Sequence, residues 1–250
     1  MASDNDEGSL AALAIRSLQE IAIIIIGILI ALAVNDWWTN RVDRAEEQSI
    51  LESIHDDVDA TLKLIQDTRS RVETDLRKLT ILSAGSAGEA GRYDAERMAE
   101  ALHSLWDVPP LAMLTSTHKE LQTSGRLRLI ADPKVRRLLA HFQQKYEFAS
   151  LTYNDAFQHQ HLKLDPYVLG NIQMSQLSRY ALEYDAGPSA VPLVPLAPIK
   201  DHRPLLDDAT FQNHVAAKYF LLTYYLHQTH ELTDVLNELN AELVKLTAKH

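Results

Sequence analysis

Ile21 to Val34 reads IAIIIIGILIALAV, fourteen residues without a charge, closed by Glu20 on one side and by Asn35-Asp36 on the other. Four consecutive isoleucines are apolar all round rather than along one stripe, which suits lipid better than the core of a soluble bundle. Fourteen residues are short for a span, but apolar character continues on both sides, as LAALAI at 10–15 and as Trp37-Trp38. Tryptophans favour the headgroup layer and mark one interface. Counted from Ser17 to Trp38, the segment has 22 residues and would rise about 33 Å as a helix, enough to cross hydrocarbon.

A buried core helix and a cleaved signal peptide are the competing readings. Ala31-Leu32-Ala33 has the spacing of a cleavage site, but the residues before the run carry Asp4, Asp6, Glu7 and Glu20 against Arg16, whereas a signal peptide wants a basic start. Glu20, at the edge of the span, needs a partner, protonation or a route to the headgroups. Arg16 stands one turn earlier, at i−4. Either the pair sits among headgroups or Glu20 meets a partner helix inside the membrane.

The remaining chain reads as helices. Ile50/Leu51, Ile54, Val58, Leu62, Ile65, Val72, Leu76 and Leu79 recur at steps of three and four, with Arg69 as an interruption where packing would loosen. With no Pro or Gly between Asn35 and Ala84, the span is expected to run into this helix as one rod of about 60 residues. SAGSAGEAG at 83–91 is a loop by composition. A short helix with Met98, Leu102 and Leu105 inward ends before Pro109-Pro110, with Trp106 as a core plug. Thr117 and Glu120 form a capping box opening another short helix. Gly125 is placed to close it in the left-handed conformation, and Asp132-Pro133 is an N-cap followed by a first-turn proline. The next helix carries Val135, Leu138/Leu139, Phe142, Tyr146, Ala149, Tyr153 and Phe157, and Asp165-Pro166 ends it or opens the next turn. A Pro-rich connection at 185–204 precedes a last helix capped by Asp207 or Asp208. Its stripe is Phe211, Val215, Tyr219, Leu222, Leu226, Thr229, Leu232, Leu236, Leu239, Leu243 and Leu246. Tyr219, Phe220, Tyr224 and Tyr225 cannot share one face, so that helix is buried on two sides or offers a face to a partner.

The expected fold is therefore all-α: a tail at 1–16, a transmembrane helix at 17–38, and an antiparallel helical bundle at 39–250 that would return the C-terminus towards the bilayer. A net charge of −10 disfavours nucleic-acid binding, and zero cysteines exclude disulfides and thiolate metal sites.

Two stretches resemble an uncharacterised family of single-pass bacterial membrane proteins. Glu20-Ile21, then Ile26-Gly27-Ile28-Leu29-Ile30-Ala31-Leu32, then Asn35-Asp36-Trp37 is similar to its span signature. Glu120-Leu121, Ser124-Gly125-Arg126-Leu127, Ile130 and Asp132 are similar to its second motif, and Phe211-x-Asn213 to a third. The resemblance implies an inner-membrane anchor with a helical domain outside the cytoplasm and no established activity. Counting Arg16 before the span against Arg41 and Arg44 after it would point the domain inward; the outward reading follows the family pattern.

No nucleophile–base pair, P-loop or dinucleotide fingerprint is present. The eleven histidines suggest a metal only through His227 and His230, at i and i+3, with His141 as a third ligand from another helix. HQTHE is not the H-E-x-x-H pattern, and solvated or interface histidines are the simpler reading. His55, Asp56, Asp57 and Asp59 are expected on the wet face. The expectation is a non-enzymatic, cofactor-free interaction module whose partners are the bilayer and a membrane protein or a second copy. The membrane and partner contacts would come from Arg16, Glu20, Gly27, Asn35, Trp37 and Trp38. A ligand-sensing domain without an output module and a metal-dependent enzyme are the alternatives.

Overall fold

In a computed structural model the described residues are 4–83, 94–106, 108–111, 113, 116–177 and 201–248, with side chains from Ile23 onward. The described residues are helical, with no strand. The first helix, α1 (Asp4–Ser83), has 80 residues, about 120 Å at 1.5 Å per residue. It is longer than the expected rod because LAALAIRSL, rich in helix-favouring Ala and Leu, extends the helix through the N-terminal tail.

The bundle runs up, down, up, down. Its second leg comprises α2 (Ala95–His103) and α3 (Ser116–Thr123), broken between them at Pro109-Pro110, and descends along α1. Lys78 faces Glu100 at 3.5 Å, Thr68 donates to the Pro110 carbonyl at 3.2 Å, and Arg126 Nε donates to Glu46 at 2.7 Å. The third leg is α4 (Pro133–His159), a π-turn over Gln160–Leu164, and α5 (Asp165–Asn171). Asp165-Pro166 thus opens the next turn. Proline has no N–H to continue the ladder, and the Asp165 N–H reaches back five residues to the Gln160 carbonyl. The last leg, α6 (Ala209–Thr247), runs antiparallel to α1 and α4. Its Asn240 donates to Asp59 at 2.8 Å, its Gln212 to the Leu82 carbonyl at 3.1 Å, and Lys134 of α4 donates to its Glu242 at 2.9 Å. Its C-terminal turn therefore returns towards the apolar half of α1, as the antiparallel expectation required.

Several local expectations hold. Asp132 Oδ1 accepts from the N–H groups of Lys134 and Val135, Asp208 caps α6 through the Thr210 N–H, and Gly125 has φ 70°. Others are corrected. Thr117 lies inside α3, and its N–H is received by Asp57 of α1 at 3.3 Å; a long-range cap replaces the local capping box. Asp57 and Asp59 thereby become tertiary contacts rather than a purely wet face. Phe157 is 42% exposed, because Thr152 and Ala156 take the inward positions on α4. Tyr219 is exposed and Lys218 buried in its place; Trp106 is an exposed rim residue, not a plug. The 83–91 loop, past Ser83, and most of the Pro-rich connection lie outside the described residues.

The interior consists of two apolar clusters. One joins Ile54, Val58 and Ile65 to Leu139, Phe142, Leu232 and Leu239 at the end nearer the apolar half of α1. The other joins Val72, Leu79 and Leu82 to Leu102, Leu164, Phe211 and Tyr225 at the far end. Between them, Thr68, Thr152, Gln228 and Thr229 are buried. Arg69, expected to loosen the stripe, lies at this level and meets His230.

Candidate functional site

From Ile23 to Val34 the large apolar side chains of α1 are between 51% and 68% exposed. Nothing lies within 4 Å of where a Cβ on Gly27 would stand. Eight Ile and Leu side chains occupy positions 23–32, and fully burying each is worth about 1.5–3 kcal/mol. Their sum, on the order of 15 kcal/mol, matches the whole stability of an ordinary domain, about 5–15 kcal/mol. By length and composition the helix is long and apolar enough to cross a membrane. Asn35, Trp37 and Trp38 follow on the same bare shaft, and the Arg41 guanidinium lies 5.8 Å from the Trp37 ring centroid. The side chains of Arg16 and Glu20 lie outside the described residues.

Immediately above the tryptophans, α1, the start of α4 and the end of α6 enclose an open cleft of about 800 Å³. Arg41, Arg44, Leu51, Asp132 and Leu246 line it, with Glu47. Glu47 accepts from the Ala131 N–H at 2.6 Å, which ties α1 to the start of α4.

The histidines singled out as metal ligands are dispersed in role. His227 is exposed and lies 3.7 Å from Glu231, whose carboxyl is held below its ordinary range mainly by the hydrogen bond from Lys145. His230 meets Arg69 at 3.1 Å, and His141 is exposed on α4. Among the described residues no three His, Asp or Glu side chains converge as metal ligands.

The densest polar constellation is one that periodicity did not find. At the π-turn, Gln160 is 2% exposed. Its Nε2 donates to the Leu105 carbonyl at 2.6 Å and to Asp165, and its Oε1 accepts from Lys218 Nζ at 2.6 Å. Asp165 continues to His161 at 2.7 Å. Nearby, the Tyr167 hydroxyl donates to Asp208 at 2.6 Å, and the His214 ring lies 5.3 Å from Tyr167 and 5.9 Å from His159. Burial, then the charges of His214, Lys218 and Lys163, lower the His159 pKa. Each buried donor named here has an acceptor, so the network ties the second, third and fourth legs together. A lysine in the register Val215–Lys218–Leu222 was the available signal for it.

Elsewhere, both ring nitrogens of His118 are buried without a hydrogen-bond partner, and burial lowers its pKa. The cavity beside it, among Asp57, Thr61, Phe142 and Leu239, holds about 20 Å³, room for roughly one water. On α6, Tyr225 is fully buried, whereas Tyr219, Phe220 and Tyr224 are exposed, Phe220 by 78%. No family model, curated protein or solved structure matches the chain.

Proposed function

We propose that this protein is a single-pass, membrane-anchored helical module that acts by contact with a membrane protein partner or a second copy of itself, and not as an enzyme. The observation that carries this is the bare apolar shaft of α1, continuous without a break with the first leg of the bundle. A helix shared between bilayer and bundle fixes the height of the domain above the membrane. The exposed aromatic pair of α6, Phe220 and Tyr224, is the surface offered to the partner; aromatic residues are enriched in interface cores. The resemblance of the span to the bacterial family supports an inner-membrane location with the bundle outside the cytoplasm. The ligand-sensing alternative is not carried by the cavity beside His118, which admits about 20 Å³; the roomier cleft, about 800 Å³, is open and lies at the base of the bundle.

The test is purification of the full chain from native membranes through a C-terminal tag, followed by mass measurement of the detergent complex. A stoichiometric membrane partner or a defined oligomer is the expected result. A lone monomer, or release of the chain by carbonate washing, overturns the proposal.

A further inference from the structure

We infer that the cleft at the base of the bundle is a headgroup site for an anionic phospholipid, with Arg41 and Arg44 holding its phosphate. The inference rests on the anchored reading of α1 and goes beyond it, because anchoring by an apolar helix needs no particular lipid.

Height is the first argument. Arg41 and Arg44 stand three and six residues beyond Trp38, about 4.5 and 9 Å along the helix. The polar layer of each leaflet is about 5–8 Å thick. With the tryptophans at its inner edge, the Arg41 backbone lies within that layer and the Arg44 backbone just above it. The cleft opens at this height and continues upward between Leu51 of α1 and Leu246 of α6.

Charge is the second. Two basic residues near the base are engaged: Arg126 with Glu46, Lys134 with Glu238 and Glu242. Arg41 touches only the Trp37 ring, and Arg44 has no partner among the described residues. The two acids lining the cleft are turned to backbone N–H groups, Glu47 to Ala131 and Asp132 to Lys134 and Val135. Two guanidiniums are thus left facing one concavity, and guanidinium forks match phosphate oxygens. The C-terminal carbonyls of α6 at Leu246–Thr247 oppose an anion through the helix dipole. The Glu47 and Asp132 carboxylates also line the cleft, so a phosphate there is held by direct bidentate bonds from the two guanidiniums and not by net positive charge.

The test uses the full chain in nanodiscs of phosphatidylcholine with a small fraction of phosphatidylglycerol. Lipid retained after release into detergent is counted by native mass spectrometry. Wild type should retain phosphatidylglycerol above its bulk fraction, and Arg41→Gln/Arg44→Gln should lower that enrichment at least five-fold. Arg41→Lys/Arg44→Lys should keep part of it, and Arg77→Gln, about 50 Å further along α1, should leave it unchanged. Equal retention by wild type and the double glutamine variant, with the chain still inserted, overturns the headgroup site and leaves the anchor standing. Displacement of the lipid by millimolar inorganic phosphate identifies a soluble phosphate site instead and overturns the lipid assignment. A chain that never enters nanodiscs overturns both.

Discussion

Arg69 on α1 and His230 on α6 meet side chain to side chain, Nη2 to Nε2 at 3.1 Å, at the level where one apolar cluster ends and the other begins. The guanidinium can only donate, so the ring nitrogen accepts. Around them Thr68, Thr152, Gln228 and Thr229 are all buried, and Leu111 packs against both clusters. The bundle is two apolar cores stacked along its length and joined through a polar waist.

Filling that waist with carbon should not harm the fold. The Thr152 and Thr229 hydroxyls donate to carbonyls of their own helices, Phe148 at 2.9 Å and Leu226 at 2.7 Å. Neither bond ties one helix to another. Thr152→Val/Thr229→Val loses two modest local bonds, about 0.5–1.5 kcal/mol each, and gains two buried methyls, about 0.8 kcal/mol each. Denaturant unfolding of the double variant should lie within about 1 kcal/mol of wild type. A loss above about 3 kcal/mol would show that the waist holds the two cores together.

The three long legs were legible because each buries a stripe at helical spacing and because Asp132-Pro133, Gly125 and Asp208 act within a few residues of themselves. The long apolar helix was legible because its signal is composition rather than position. What was not legible depends on contacts distant in sequence. Asp57 caps a helix sixty residues further on, and no local pattern announces it. Lys218 displaces Tyr219 from the inward register because Gln160 waits opposite with an acceptor. The π-turn that presents Gln160 left only Pro166 as a trace.

Gln160 should be among the most sensitive positions outside the apolar cores. Gln160→Ala removes one hydrogen bond from each of the Leu105 carbonyl, Asp165 and the Lys218 ammonium together. Hydrogen bonds to charged groups are worth about 1.5–3 kcal/mol, and a buried group left without a partner adds its own penalty. A destabilisation of about 3 kcal/mol is expected in denaturant titration of the detergent-solubilised chain. Unchanged stability would mean that water replaces the amide at the π-turn.

Two histidines give the fold a pH dependence of definite sign. His118 and His159 have pKa values lowered from 6.5, in both cases chiefly by burial. Below 6.5 the unfolded chain takes up protons that the folded chain refuses, so stability falls as pH drops from 7 through 6.5 and levels off once the folded-state values are passed. The carboxyls of Glu231 and Glu242, lowered from 4.5, act in a separate window: their contribution is lost only below about 4.5. Melting temperature measured from pH 7.5 to 5 should decline, and His118→Phe and His159→Gln should each flatten that decline. A wild-type profile level across this range contradicts the assignment.

The aromatic face of α6 separates association from stability. Phe220 and Tyr224 project from the outer side of a helix whose opposite face, through Leu222 and Tyr225, is fully buried. Exposed side chains without internal partners usually change stability by less than about 0.5 kcal/mol when replaced, so Phe220→Ser/Tyr224→Ser should melt as wild type does. A buried aromatic anchor at an interface costs about 2 kcal/mol or more when truncated, roughly a thirty-fold loss of affinity. The complex recovered from native membranes should therefore dissociate in the double variant while the monomer remains folded. If instead the variant unfolds, the face is part of the bundle's own packing; if it is stable and the complex persists, the partner docks elsewhere.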